Sequence, residues 1–177
     1  MTARSSLAIL AAAAAAAAAL SACGTFGSSG PKAVATLEPT KGNTAAGTVT
    51  FQQKGDKVLV TANITGLKPN GEHGFHAHEK GDCSSGDGMS TAGHFNPNGK
   101  PHGPQDHDHH AGDFPGLKAD ANGNVNTSFE LSGVGLGSGT SDLVGRGVIV
   151  HAGADDYKTQ PTGNSGARIA CGVIKAS

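Results

Sequence analysis

The stretch Val58-Leu59-Val60-Thr61-Ala62-Asn63-Ile64-Thr65 decides the fold. Val58, Val60, Ala62 and Ile64 fall on alternate positions, and successive side chains of a strand face opposite sides, so these four share one face. A second run has the same form, with Val125, Thr127, Phe129 and Leu131 alternating with Asn126, Ser128 and Glu130. Both read as half-buried strands. Turn residues stand ahead of each: Lys54-Gly55-Asp56 before the first and Asp120-Ala121-Asn122-Gly123 before the second. Residues 48–52 supply a strand able to form a hairpin with the first run. Further strands are predicted over 33–38, 72–79, 143–151 and 168–174, and no segment after Ala33 keeps a helical period for ten residues. Short antiparallel strands joined by long loops predict an all-β sandwich or barrel.

Composition agrees. Glycine contributes 28 of 177 residues, about twice the usual share, and tryptophan is absent. The length allows one domain. Lys and Arg number 13 against 14 Asp and Glu, a formal net charge of −1. Phosphate binding needs a basic surplus, so this balance argues against a nucleic-acid partner.

Residues 1–22 read as an export signal, with Arg4 as the positive end and the apolar run from Leu7 to Leu20 containing nine consecutive alanines. A membrane-spanning helix is the competing reading, but it needs about 20 apolar residues, and this run is shorter and soon meets Ser21. Leu20-Ser21-Ala22-Cys23 resembles the lipobox of bacterial lipoproteins, which implies cleavage before Cys23 and a lipid on that cysteine. Residues 24–33, rich in Gly and Ser, read as a flexible tether, so 23–33 forms the lipidated linker and 34–177 the domain. With Cys23 lipidated, Cys83 and Cys171 remain as an even pair in an exported, disulfide-permissive compartment.

All nine histidines lie between His73 and His151, and eight of them between His73 and His110. His76 and His78 are two apart, so on a strand their rings leave the same face and can meet one metal ion. His94, His102, His110 and Asp113 follow in sequence whose glycines let the backbone fold round a small ion. His151 ends the apolar run Val148-Ile149-Val150. Imidazole and carboxylate donors without free thiolates suit zinc and copper better than calcium or an iron–sulfur cluster. The run Asp106-His107-Asp108-His109-His110 also fits a low-complexity loop that binds metal adventitiously, which would account for His107 and His109.

Five stretches together resemble the copper/zinc superoxide dismutases. They are Gly74-Phe75-His76-Ala77-His78-Glu79, Ala92-Gly93-His94-Phe95-Asn96-Pro97, His110-Ala111-Gly112-Asp113, Gly145-Arg146-Gly147-Val148-Ile149-Val150-His151, and Gly166-Ala167-Arg168-Ile169-Ala170-Cys171-Gly172-Val173-Ile174. They occur in the family order. The resemblance implies an eight-stranded Greek-key β-barrel, immunoglobulin-like in its sandwich, with long metal-binding loops. It implies one copper held by His76, His78, His94 and His151, and one zinc held by His94, His102, His110 and Asp113, with His94 bridging the two. His109 adjoins His110, and the spacing to Asp113 that matches the family motif selects His110. Asp155 matches the aspartate that links one ligand of each metal, here His76 and His102. Arg168 matches the arginine that attracts and orients superoxide, and Cys83 would pair with Cys171.

The implied activity is dismutation of superoxide to oxygen and hydrogen peroxide, with Arg168 and His94 as the participating side chains. The implied place is the periplasmic or cell-surface side of a bacterial membrane, attached through lipid alone, and a homodimer is allowed without its surface being fixed. Between His151 and Arg168 the chain departs from the eukaryotic branch: residues 158–162 lack the paired glutamates that guide substrate there. Lys158 is the remaining candidate for guidance beyond Arg168. The alternative class is a non-catalytic copper or zinc binding or delivery protein on the same fold. A β-sandwich adhesion module would leave the ordered motifs without a cause.

Overall fold

The computed structural model describes Met1 and residues 30–177. The expected signal segment and the expected lipidation site at Cys23 lie outside the described residues. The strands are β1 (Lys32–Pro39), β2 (Ala46–Lys54), β3 (Lys57–Thr65), β4 (Glu72–His73), β5 (Phe75–His78), β6 (Leu117–Lys118), β7 (Val125–Ser132), β8 (Gly147–His151), β9 (Arg168–Val173) and β10 (Lys175–Ala176). Helical structure among the described residues is one 3-10 turn, Met89–Thr91.

The alternation in β3 places Val58, Val60, Ala62 and Ile64 in the core, each at most 1 % exposed. β2 and β3 form the expected hairpin, closing through Lys54 opposite Lys57, with Gly55 at φ 61° in the two-residue turn. β7 lies on the other side of β3, with Val125 opposite Ile64 and Leu131 opposite Val58, so apolar faces match along the ladder.

The main sheet is antiparallel, in the order β5-β8-β9-β1-β2-β3-β7, with β10 beside β1. β1 joins its halves: Ala33 and Val34 pair with β10, whereas Glu38 and Pro39 pair with β9. The chain crosses from β3 to β5 and again from β7 to β8, each time between opposite ends of the sheet, which is the Greek-key connection. The sheet curls until its edge strands face each other. Phe75 on β5 and Phe129 on β7 have ring centroids 6.4 Å apart, with Phe114 between them at 5.4 Å from Phe75. This barrel fold matches the expected one.

Two predicted strands differ in extent. The stretch 72–79 breaks at Gly74, where β4 pairs with β6 in a separate two-stranded sheet and β5 pairs with β8. Gly74 donates its N–H to Gly153, and a Cβ there would come within 2.5 Å of the Ser165 hydroxyl, so the close approach excludes a side chain. The predicted strand 143–151 begins only at Gly147, because Arg146 N–H closes a turn onto the Leu143 carbonyl. β8 is buried at all five positions, one face toward the core and the other beneath the loops, so it shows no alternation.

Candidate metal centre

β5 is the foundation. Phe75 and Ala77 face the core, which sends His76 and His78 together to the opposite face. The loop that follows returns twice alongside this strand. Glu79 N–H bonds to Gly93 O and Phe95 N–H to Ala77 O, which sets His94 opposite His78. Ala77 N–H bonds to Gly112 O, and Asp113 comes opposite His76. Gly112 has to be glycine, since a Cβ would press on the Ala77 carbonyl. His151 arrives from the end of β8, where the register with β9 slips between Val150 and His151. Such a slip re-aims one side chain while the strand stays paired.

Two groups of donors result. His76, His78, His94 and His151 bring one ring nitrogen each within 4.8 Å of one another, and His94, His102, His110 and Asp113 do the same on the other side of the His94 ring. All seven residues are buried. The sequence-predicted ligand positions therefore assemble, His110 among them. His109 lies outside, with Nδ1–H donating to the His110 carbonyl, and exposed His107 lies beside Asp106.

The hydrogen bonds show which atoms are free for a cation. In His78, Nδ1–H donates to Ala92 O at 2.9 Å, and in His151, Nδ1–H donates to Gly166 O at 3.1 Å. A carbonyl only accepts, so each Nδ1 carries the proton and each Nε2 presents a lone pair. Those two Nε2 atoms, with Nε2 of His94 and Nδ1 of His76, are buried without a hydrogen-bond partner. Four orphaned nitrogens converging on one point would be costly without a cation to receive them. On the other side, Asp113 Oδ1 lies 2.8 Å from His94 Nδ1 and 3.2 Å from His110 Nδ1. His102 Nδ1 is 3.0 Å from Asp113 Oδ2 yet makes no well-aligned hydrogen bond to it, so both atoms point toward a shared position. The residues fit two metal ions that share the His94 ring.

Asp155 spans the two groups from behind. Its Oδ2 lies 2.6 Å from His76 Nε2 and its Oδ1 2.9 Å from His102 Nε2, the link expected from the sequence. It turns the remaining nitrogen of each ring toward its own group.

Charge follows burial. Desolvation holds the rings of His94 and His151 at pKa values of about 4 and about 3, and pushes His78 well below its ordinary value, so all three are neutral lone-pair donors near pH 7. Burial also opposes charge on His102, but the adjacent carboxylates of Asp113, 3.0 Å from Nδ1, and of Asp155, hydrogen-bonded to Nε2, outweigh it and raise the ring to about 9. Both carboxyls are themselves buried, and the surrounding imidazoles nevertheless hold them well below the usual carboxylate range.

Arg168, at the start of β9, is anchored to the loop under the disulfide. Nη1–H donates to Gly88 O at 2.7 Å and to Thr91 Oγ1 at 2.8 Å, and Nη2–H donates to Ala92 O at 2.7 Å. The expected Cys83–Cys171 disulfide is present, with Cα atoms 5.9 Å apart, and ties that loop to β9. Sequence reading gave no role to Ala92, Tyr157 or Gln160, whose contacts with Arg168, His78 and His102 arise only from the fold.

The fold and site together define a β-barrel protein with donors for two adjoining metal ions. Residues 45–174 match the family model for copper/zinc superoxide dismutase, and the chain belongs to that family. It is similar to the crystal structure of the clock protein EA4, with 42% identity, a TM-score of 0.75, and coverage of 82% of this chain and 94% of that one. It is also similar to a SOD-like protein from Bacillus subtilis, with 34% identity, a TM-score of 0.72, and coverage of 79% and 96%. A double mutant of that protein, carrying histidine in place of a tyrosine and a proline, gives 37% identity, a TM-score of 0.73, and coverage of 80% and 96%.

Proposed function

We propose that this chain is a catalytic superoxide dismutase, with copper at His76, His78, His94 and His151 and zinc at His94, His102, His110 and Asp113. The observation that carries this reading is the convergence of four buried, partnerless imidazole nitrogens beside a fixed guanidinium. Bound copper supplies the one-electron exchange the reaction needs: one superoxide is oxidised to dioxygen, and a second is reduced and, with two protons, gives hydrogen peroxide.

The protein's own residues do the rest. Arg168 provides a permanent positive charge that draws in and orients a small anion, and its three acceptors keep the guanidinium from swinging away. His94 Nε2, buried without a hydrogen-bond partner, is the atom that can hold a proton and pass it on. Asp155 keeps His76 and His102 in single tautomers. We place the protein outside the cytoplasm, anchored through Cys23. The disulfide supports an oxidising compartment, and the sequence of residues 1–23 supports the anchor.

The test is superoxide-dismuting activity of the copper- and zinc-loaded protein beside His151→Ala, with metal content measured on both. High activity lost with His151, and about one copper and one zinc per chain in the parent, is the expected result. Metal bound at that stoichiometry with no activity above free copper would overturn it, leaving a metal carrier on the same fold.

A further inference from the structure

We propose that Gln160 is a positioning residue for His102 and thereby sets how tightly the zinc-side group holds its ion; this rests on the metal assignment above. His102 sits on an irregular loop, outside every strand, although its ring is fully buried. Nothing in local secondary structure fixes its backbone. The side-chain amide of Gln160 fixes it instead. His102 N–H donates to Gln160 Oε1 at 2.7 Å, and Gln160 Nε2–H donates to His102 O at 2.9 Å, a two-point pairing like one rung of a sheet. Among the described residues, neither main-chain group of His102 has another protein partner.

The segment that presents Gln160 is braced from within. Asp156 Oδ1 accepts from the N–H groups of Lys158 and Thr159, Asp156 N–H donates to Gly163 O, and Gly163 N–H donates to Thr159 O. The same segment meets His102 at two more points. Asp155 takes the ring Nε2, and the Tyr157 ring lies parallel to the imidazole, 2° between planes and 6.5 Å between centroids. Tyr157 is pinned in turn, because its hydroxyl accepts from Gly116 N–H at 2.7 Å.

A rigid clip therefore grips His102 by main chain, ring edge and ring face, and the atom left over is Nδ1, aimed into the zinc-side group. Asp155 alone fixes the ring's tautomer but leaves it free to swing with the backbone. Gln160 removes that freedom before metal arrives, and an ordered ligand costs less to bind than a mobile one.

The test uses the full-length protein stripped of metal. Zinc alone is titrated against a chromophoric chelator for the parent, Gln160→Ala, Gln160→Met and, as a control in the same loop, Thr162→Ala. Cobalt(II) in place of zinc gives visible absorption bands that report ligand geometry. We expect both Gln160 variants to lose about tenfold or more in zinc affinity, as supporting hydrogen bonds to ligands typically do, with altered cobalt bands and unchanged copper affinity. Gln160→Met keeps the side-chain length, so an equal loss there assigns the effect to the paired hydrogen bonds. Parent-like zinc affinity and cobalt spectrum in both variants, even with a lowered melting temperature, would overturn the proposal. A parent that takes up no zinc would overturn it together with the metal assignment, so the two failures are distinguishable.

Discussion

Arg168 and His78 donate to one and the same oxygen, the main-chain carbonyl of Ala92, at 2.7 and 2.9 Å. A carbonyl has two lone pairs and can accept both. The guanidinium and one ring of the four-histidine group are thus held at a fixed separation by a single atom. Ala92 adopts φ 64°, ψ −147° to present it, a conformation that a residue with a Cβ rarely takes.

Ala92→Gly should stabilise the protein. Strain of this kind costs about 1–3 kcal/mol, and glycine gives back roughly 0.5–1 kcal/mol through the unfolded chain, leaving a net gain of about 1 kcal/mol. Ala92→Val, with its branched Cβ, should lose stability. Urea unfolding of the three proteins decides it, and a less stable glycine variant would show that the backbone there is unstrained.

Arg168→Lys should reproduce the charge but not the anchoring, because one ammonium cannot serve the three acceptors as the planar fork does. Stopped-flow superoxide decay should show kcat/KM reduced about tenfold for Arg168→Gln, with a flatter dependence on ionic strength, and an intermediate loss for lysine. Equal rates in all three proteins would remove Arg168 from substrate binding.

Asp155→Asn breaks a doubly used buried carboxylate, since an amide cannot accept from both rings through two oxygens. The metal-free protein should lose about 3 kcal/mol, and zinc affinity should fall at least tenfold. Gly163→Ala should act on the same link from the other side. Its Cβ would collide with Asp155 Oδ1, come within 2.5 Å of His102 Nε2, and occupy φ +66°. Chelator competition on Gly163→Ala with parent-like zinc retention would show that the link can yield.

Replacing both Cys83 and Cys171 by serine opens a loop spanning 88 residues. Chain entropy assigns that closure about 4–5 kcal/mol, read as a lower urea midpoint. Because Gly88, Thr91 and Ala92 on that loop hold the guanidinium, kcat/KM should fall as well, and a pure stability loss would separate the two roles.

Stability of the metal-free protein should peak near pH 6.5 and fall on either side. His94 and His151 have folded pKa values of about 4 and 3 against 6.5, so the unfolded chain takes up protons first and stability drains away as pH falls from 6.5 toward those values. His102 runs the other way. Its folded value of about 9 gives stability that is complete below 6.5 and lost as pH rises through 9. Asp113 and Asp155, both depressed, add stability that persists above about 3.8 and disappears in stronger acid. Urea midpoints across this range test the shape, and a flat profile from pH 8 to 5 would contradict it.

Much of this was readable along the chain. The alternation from Val58 to Ile64 was legible because β3 has one face in the core and one toward water, and the same holds for β7. His76 and His78 were legible as a pair because strand geometry fixes their common face. The remaining ligand positions were legible as a set through the resemblance of five ordered stretches.

The sequence by itself determined the β class, the hairpin between residues 48–52 and 58–65 and the chemical kind of the donors, because alternation, turn propensity and ligand type are properties of a few neighbouring residues. Only the tertiary structure decided where the strand after His73 breaks, why β8 is buried on both faces, and which atom of each histidine is free. It alone brought Gln160 to His102 across 58 residues and set Ala92 between Arg168 and His78. Each of those contacts joins a side chain to a main-chain group that every residue carries, so no sequence pattern announces its partner, and they exist only once the curled sheet has brought its loops together.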